Sequence, residues 1–460
     1  MSRRRKTEAH AETRRRGETE GGHSFQQSGL ENPPSDWHVA CVGDLTLRTQ
    51  QRNPARDPDK IFRYVDVSSV SNTSFRITEP TEVPGAQAPS RARKVIRAGD
   101  VLFATVRPTL KRVALVSEEF DDQIASTGFV VLRADSKHLD SSYLYFRLLT
   151  DEFIARMREL ERGASYPAVR DSDILNEEIP IPPFTEQRKI AGVLGLVQRA
   201  LEQQERLIAL VTELKKALLH QLFTQGLRGE PQKQTEIGPV PQSWETTPLG
   251  KCCDIVSGSL SYTDFLKMAS VDDSDAAECM GVKVSDMNLP GNENKFVTAN
   301  AVRHISVAVA HRKLISPNTV VFPKRGAAIA TNKKRLTTTW TVLDPNLIGV
   351  HAKDSLDADF LFHWIQTFDL RRITDPGPTP QLNKKDLIPV LMPLPQEIDE
   401  QRDIANVIST VDRKMTLHQC KHAALTALFR TLLHHLMTAQ IRVHNLDLPE
   451  LETSIAEGKK

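Results

Sequence analysis

Glu186-Gln187-Arg188-Lys189-Ile190-Ala191 returns 214 residues later as Glu400-Gln401-Arg402-Asp403-Ile404-Ala405, and this recurrence decides how the rest of the chain is read. The register then holds without a gap. Residues 186–225 laid on 400–439 give 16 identities in 40 positions, among them Val197/Val411, Arg199/Arg413, Leu218/Leu432, His220/His434 and Leu222/Leu436. In both stretches the apolar residues alternate at spacings of three and four. Ile190, Leu194, Val197, Leu201, Ile208, Val211, Leu218 and Leu222 make the first stripe. Ile404, Ile408, Val411, Met415, Leu425, Phe429, Leu432 and Leu436 make the second. Such a period, sustained over about five heptads, predicts a coiled coil rather than a helix on a globular surface. Gln204 and Lys215 interrupt the first stripe and His418 and His422 the second, with His418 in the slot of Gln204. The runs IPIPPFTEQ and MPLPQEIDEQ stop a strand and start each helix, with Thr185 or Asp399 as N-cap and glutamates in the first turn. Gly226 and Gly229 end the first helix, and Gly192 and Gly195 read as close-packing positions. About 39 residues at 1.5 Å each make a rod of roughly 58 Å.

Working outward, the match loosens but persists. Trp37 and Trp244 open the two copies. Ala98–Phe103 answers Pro317–Phe322, Leu132–Asp135 answers His351–Asp354, and Asp140–Leu144 answers Asp357–Leu361. Asp173-Ile174 answers Asp386-Leu387, and Ile179–Pro182 answers Met392–Pro395. Short β-branched runs predict strands at Lys94–Ile96, Val101–Thr105, Val113–Val116 and Gly128–Leu132, and at Thr319–Phe322, Thr337–Leu343 and Leu347–Val350. A short helical pattern follows near 141–161 and 357–373. The expected map is a tail at 1–35, a globular domain at 36–184, a helix at 185–226 and a linker at 227–243. A second domain at 244–397, a second helix at 398–440 and a polar tail at 441–460 complete it. The fold class is α+β: two similar α/β domains separated by two long helices that form an antiparallel coiled coil, a pseudo-two-fold repeat.

Composition bounds the function. Of 460 residues, 60 are Lys or Arg and 58 Asp or Glu, so the net charge is +2 and any nucleic-acid surface must be a local patch. No apolar run is long enough to span a bilayer, and the N-terminus lacks the apolar core of a secretory signal. Five cysteines without a CxxC predict free thiols in a reducing, cytoplasmic setting. The Arg3–Arg5 and Arg14–Arg16 clusters, interleaved with glutamates, read as a solvated tail, with a DNA-grazing arm as the alternative.

Local charge points to DNA. Arg91, Arg93, Lys94, Arg97, Arg107, Lys111 and Arg112 face one acid, Asp100. Lys324, Arg325, Lys333, Lys334 and Arg335 face none. Both clusters follow the shared strand, and Thr105, Thr331 and Asn332 beside them are smaller candidate base readers. Two domains at the ends of an antiparallel rod would meet successive stretches of one duplex, whose turn is about 34 Å. Similar helices suit two identical partners; dissimilar domains suit two different half-sites. Catalytic motifs are missing. There is no GxxxxGK[ST] loop and no GxGxxG after a strand. Asn32-Pro33-Pro34-Ser35 lacks the aromatic that would stack a flipped base. His418, Cys420 and His422 have helical ligand spacing but read as a register-setting polar layer, not a metal site.

The order Trp, domain, IPIPPFTEQRKIAGVL, long helix, TEIGPVPQSWE, domain, PLPQEIDEQRDIANVI, long helix resembles the specificity subunits of type I restriction-modification systems. The resemblance runs from Trp37 to about Ala439; the Arg-rich head and the longer MPLPQEIDEQ run depart from the pattern. It implies a non-catalytic chain whose two target recognition domains read the halves of an asymmetric bipartite site on double-stranded DNA. It implies two methyltransferase subunits and two ATP-dependent motor-nuclease subunits as partners. S-adenosylmethionine, ATP and Mg would then be bound by those partners and none by this chain. The expected setting is the nucleoid of a bacterium or archaeon. A stand-alone coiled-coil DNA-binding regulator and a duplicated scaffold without a nucleic-acid role are the alternatives.

Overall fold

The computed structural model describes residues 34–268, 276–306, 314–374 and 380–443. The Arg-rich head and 444–460 lie outside the described residues. The chain forms two compact units, one holding residues up to Arg206 together with those from Cys420 onward, the other Leu207–Gln419. Each unit therefore contains a globular domain and a half of each long helix.

The first unit has β1 (His38–Cys41), β2 (Thr46–Leu47), β3 (Ile61–Val65), β4 (Thr81–Pro84), β5 (Ala92–Ile96), β6 (Val101–Ala104), β7 (Val113–Leu115), β8 (Gln123–Ser126), β9 (Phe129–Ala134) and β10 (Glu178–Ile181). Two short helices, α1 (Ser141–Leu148) and α2 (Asp151–Leu160), follow β9, and the long α3 (Phe184–Gln225) begins after β10. One sheet runs β2-β9-β6-β7, a second β4-β3-β8-β5, and β1 pairs with β10. β6 is fully buried, so it reads as an unbroken apolar run rather than an alternation.

After a hairpin of β11 (Gln232–Thr235) and β12 (Gly238–Pro241), the second unit repeats the plan. It has β13 (Glu245–Pro248), β14 (Cys253–Ser257), β15 (Ala276–Val282), β16 (Lys295–Phe296), β17 (Ala301–Ser306), β18 (Thr319–Pro323), β19 (Arg335–Thr337), β20 (Trp340–Leu343), β21 (Leu347–Ala352) and β22 (Leu391–Leu394). Its longer helices are α4 (Ala358–Thr367) and α5 (Ile398–Met437). The order β14-β21-β18-β19 repeats β2-β9-β6-β7, β13 pairs with β22 as β1 does with β10, and the parallel pair β15/β20 repeats β3/β8. The expected run Thr337–Leu343 is two strands in two sheets, because Thr338 and Thr339 carry the chain across. The strand register also moves one correspondence. Val101 pairs with Leu132 and Val320 with Val350, so Arg133, not Leu132, answers His351. Across these strands Asp100 holds Arg133 at 2.7 Å, and Thr319 holds His351 at 3.1 Å.

Within the first unit Ile190, Ala191, Leu194 and Val197 of α3 share one core with Phe429, Leu433, Leu436 and Met437 of α5 and with Trp37, Tyr143 and Phe146 of the domain. Within the second, Leu222 and Phe223 share a core with Ile404, Ala405, Ile408, Trp244 and Phe360. The starts of each helix thus meet the end of the other, an antiparallel pairing. Polar contacts cross the seam in each unit: His422 Nε2 lies 3.4 Å from Glu205 in the first, and Lys215 pairs with Asp412 at 2.6 Å in the second. Lys215 and His422, which interrupt the apolar stripes, are paired across the seam. Leu201, Ile208, Val211, Leu218, Met415, Leu425 and Leu432 are half-buried, as two helices cover only one side of each other.

Several boundaries differ from the sequence reading. The first helix begins at Phe184, one residue before the expected start, and the second at Ile398 as expected, so Thr185 and Asp399 lie inside the helices rather than at their N-caps. The expected linker contains the β11/β12 hairpin. The expected tail starts folded: Val443 is buried, and Arg442 forms ion pairs with Glu186 and Asp36, each at 2.7 Å. Gly195 is not a close-packing position. Gly192 and Gly195 line a cavity of about 380 Å³ with Tyr145 and Phe146, and a Cβ on Gly195 would meet only Arg199. Gly226 is a helix stop as expected, with φ at +66° and its N–H bonded to the Leu222 carbonyl.

Candidate nucleic-acid interface

The Glu-Gln element that recurs at 186 and 400 is a clamp between helix and domain. Trp37 Nε1 donates to Glu186 Oε2 at 3.2 Å, and Trp244 Nε1 donates to Glu400 Oε1 at 3.2 Å. Gln187 accepts the Asp140 N–H at 2.9 Å and donates to the carbonyls of His138 and Pro182. Gln401 accepts the Asp357 N–H at 2.8 Å and donates to those of Ser355 and Pro395. Both glutamines are buried, where an unmet amide would be costly, so each helix start is locked to its own domain. Sequence comparison finds the motif; it does not reveal that the opening tryptophan is its partner.

The basic clusters divide into groups that hold the fold and groups that face solvent. Lys111 Nζ donates to the Leu149 carbonyl at 3.3 Å and pairs with Asp151 at 2.5 Å. Asn332 and Lys334 donate to the Phe368 carbonyl at 3.4 and 2.6 Å. Leu149 and Phe368 are the C-caps of α1 and α4. The clusters recur because the same helix end needs a donor in each copy, a cation there being favoured by the helix dipole. Lys334 is 1 % exposed, and burial pushes its ammonium down to about 8. Arg335 is buried on the carbonyls of Lys334 and Met287, and burial lowers it too. Arg112 donates to the carbonyls of Val67, Ser68 and Val70, Lys94 is buried on Asp171 at 2.6 Å, and Arg93 bonds its neighbour's carbonyl. Thr105 donates to the Gly128 carbonyl, Thr331 to that of Ala328, and Lys333 bonds Asn288. Lys324 is buried, and burial with Arg325 beside it lowers its ammonium. Lys94, Lys111, Arg112, Lys334 and Arg335 are thus engaged by groups of their own domain.

Arg91, Arg97, Arg107 and Arg325 stay exposed. Backbone bonds tie the segments that carry Arg91 and Arg107 to the same strand connection, 127–128. Thr127 N–H donates to the Arg91 carbonyl, Thr105 N–H to Gly128, and Val169 N–H to Thr105. The Arg107 N–H donates to the Pro167 carbonyl at 2.7 Å, and its guanidinium lies 5.3 Å from the ring of Tyr166. Tyr166 is 73 % exposed, and no periodicity in the sequence marks it. The second unit repeats the scaffold. Gly326 N–H donates to Pro380, and Leu382 N–H donates to Lys324. So Arg107 and Gly326 are equivalent, and both have positive φ, +50° and +66°.

Among the described residues no His, Cys, Asp and Glu cluster could hold a metal, and no helix is long and apolar enough to cross a membrane. What the geometry defines is a duplicated scaffold: two domains of one plan, each locked by its Trp–Glu clamp to an antiparallel helix pair, differing in what they expose. Residues 34–212 match the family model for the type I restriction modification DNA specificity domain. The chain is 22 % identical over 434 residues to the MjaVIII specificity subunit of Methanocaldococcus jannaschii, covering 90 % of this chain and 95 % of that one. It is 22 % identical over 192 residues to the HindI specificity subunit of Haemophilus influenzae, 41 % of each. Among solved structures, a chain of a type I restriction-modification system studied for its assembly and conformational transition is 27 % identical, with a TM-score of 0.50, covering 89 % of this chain and all of that one. The S subunit from M. genitalium has the same fold, with a TM-score of 0.58 at 15 % identity over 88 % of this chain and 97 % of that one. In sequence and in fold, this chain is similar to the specificity subunits of type I restriction-modification systems.

Proposed function

We propose that this chain reads an asymmetric, bipartite DNA site, one half with each domain, and presents it to partner enzymes. Its part is recognition; methyl transfer and cleavage belong to other chains. The observation that carries this is the unequal duplication. The clamps and strand orders repeat in both units, whereas the groups beside the shared strand differ: Arg107 against Tyr166 in one, and Arg325 followed by Gly326, at the place of Arg107, in the other.

The helices support two copies of one partner. Leu214 and Leu428 are equivalent positions, and they are 50 % and 45 % exposed, with Leu196, Leu207, Leu210 and Leu417 also exposed. Equivalent uncovered leucines suit two methyltransferase subunits, with two motor-nuclease subunits joining them. S-adenosylmethionine, ATP and Mg are assigned to those partners. A pull-down with the methyltransferase, followed by selection from a random duplex library, tests the reading. Capture of the partner and enrichment of a two-part motif are expected. A motif without a partner favours a stand-alone regulator, and a partner without a motif favours a scaffold.

A further inference from the structure

We infer that Arg107, held against Tyr166, is a base-reading residue of the first recognition domain, taking a paired-acceptor edge such as guanine O6 and N7. This rests on the DNA-recognition reading above. The backbone supplies the first reason. Arg107 sits at φ +50°, a left-handed conformation that arginine adopts at a cost and glycine adopts freely. The second unit has a positive φ at the same place and the same backbone bond, and there the residue is Gly326. The turn alone therefore calls for glycine, and an arginine kept there against its own preference marks a side chain with a task.

The surroundings say what the task is. Lys94, Lys111 and Arg112 of the same cluster are engaged by carboxylates or carbonyls of the domain. Arg107 makes no ion pair among the described residues, and its neighbour is the face of an exposed ring 5.3 Å away. A guanidinium stacked on an aromatic keeps its fork of N–H donors directed outward with little freedom left to lose. A phosphate contact needs only charge; a fixed, outward fork suits a ligand with two acceptors in one plane. The position at the end of the shared strand, equivalent to a bare glycine in the other copy, gives the two domains different chemistry at one place.

The test uses the full chain and the duplex it selects, beside a scrambled duplex. Arg107→Gly installs the residue the second unit already uses, so the thermal midpoint should not fall. Binding to the selected duplex should weaken roughly 10- to 100-fold, with affinity for the scrambled duplex nearly unchanged. Repeated selection should lose preference at a position in the half-site of the first domain. Arg107→Lys should keep non-specific binding and lose that preference. Tyr166→Ala should act in the same direction, and Tyr166→Phe, which keeps the ring, should restore it. Equal loss on both duplexes, with a shallower salt dependence, would make Arg107 a phosphate contact and overturn the inference, as would an unchanged motif. A wild-type chain that selects no motif at all defeats the parent reading together with this one.

Discussion

Burial takes Lys334 out of solvent and sets its Nζ on the last carbonyl of α4. Lys334→Met is expected to lower the unfolding midpoint while leaving the salt dependence of DNA binding unchanged, measured by denaturation and by a gel-shift salt series. A DNA contact would give the reverse pattern. His363 is the second residue whose setting has a measurable consequence. It lies on α4 with Nε2 3.0 Å from Ser409 Oγ, and burial, with Lys215 and Lys295 nearby, pushes it down to about 3. The folded histidine stays neutral while the unfolded one takes up its proton near 6.5. Stability is therefore lost as pH falls below that value, by up to about 1.4 kcal/mol per unit. His363→Gln should flatten that slope in a pH series of urea melts; an unchanged slope would place the titration elsewhere. At this scale the sequence showed which side chains are basic, but not which are used inside. A lysine on a helix C-cap and a lysine on a duplex are alike until the strands place the carbonyl.

At the level of elements, the long helices were the most legible, because a heptad stripe reports its own burial. Ile190, Leu194, Ile404, Ile408 and Leu436 are all buried. Leu433, Met437 and Phe223 were missed, since at the helix ends the domain as well as the other helix covers the surface. The small strands β2 and β16, two residues each, carry no pattern to read. The paired charges on the seam act on register more than on stability. Lys215→Met alone leaves Asp412 without its ammonium in a half-dry seam and should cost about 3 kcal/mol, whereas Lys215→Met with Asp412→Leu should be close to neutral. Equal losses for the single and double variants in denaturant melts would remove the pair from that role. Gly226→Ala, at positive φ, should cost about 1 kcal/mol.

For the whole molecule, the duplication separates what must be the same from what must differ. The clamps of Trp37 on Glu186 and Trp244 on Glu400 repeat, and so do the uncovered Leu214 and Leu428. Leu214→Asp and Leu428→Asp should each weaken capture of the methyltransferase without changing the melting profile, and together should abolish it. Retention of the partner by the double variant would move the docking surface elsewhere. Arg107 is answered by Gly326, and under the proposed reading unlike groups on like scaffolds imply a target whose halves are unlike. Methylome sequencing of cells carrying this chain with its methyltransferase tests that most directly. Modified adenines in a two-part asymmetric motif with an unread spacer of fixed length are predicted; a single contiguous motif, or two identical halves, would contradict it.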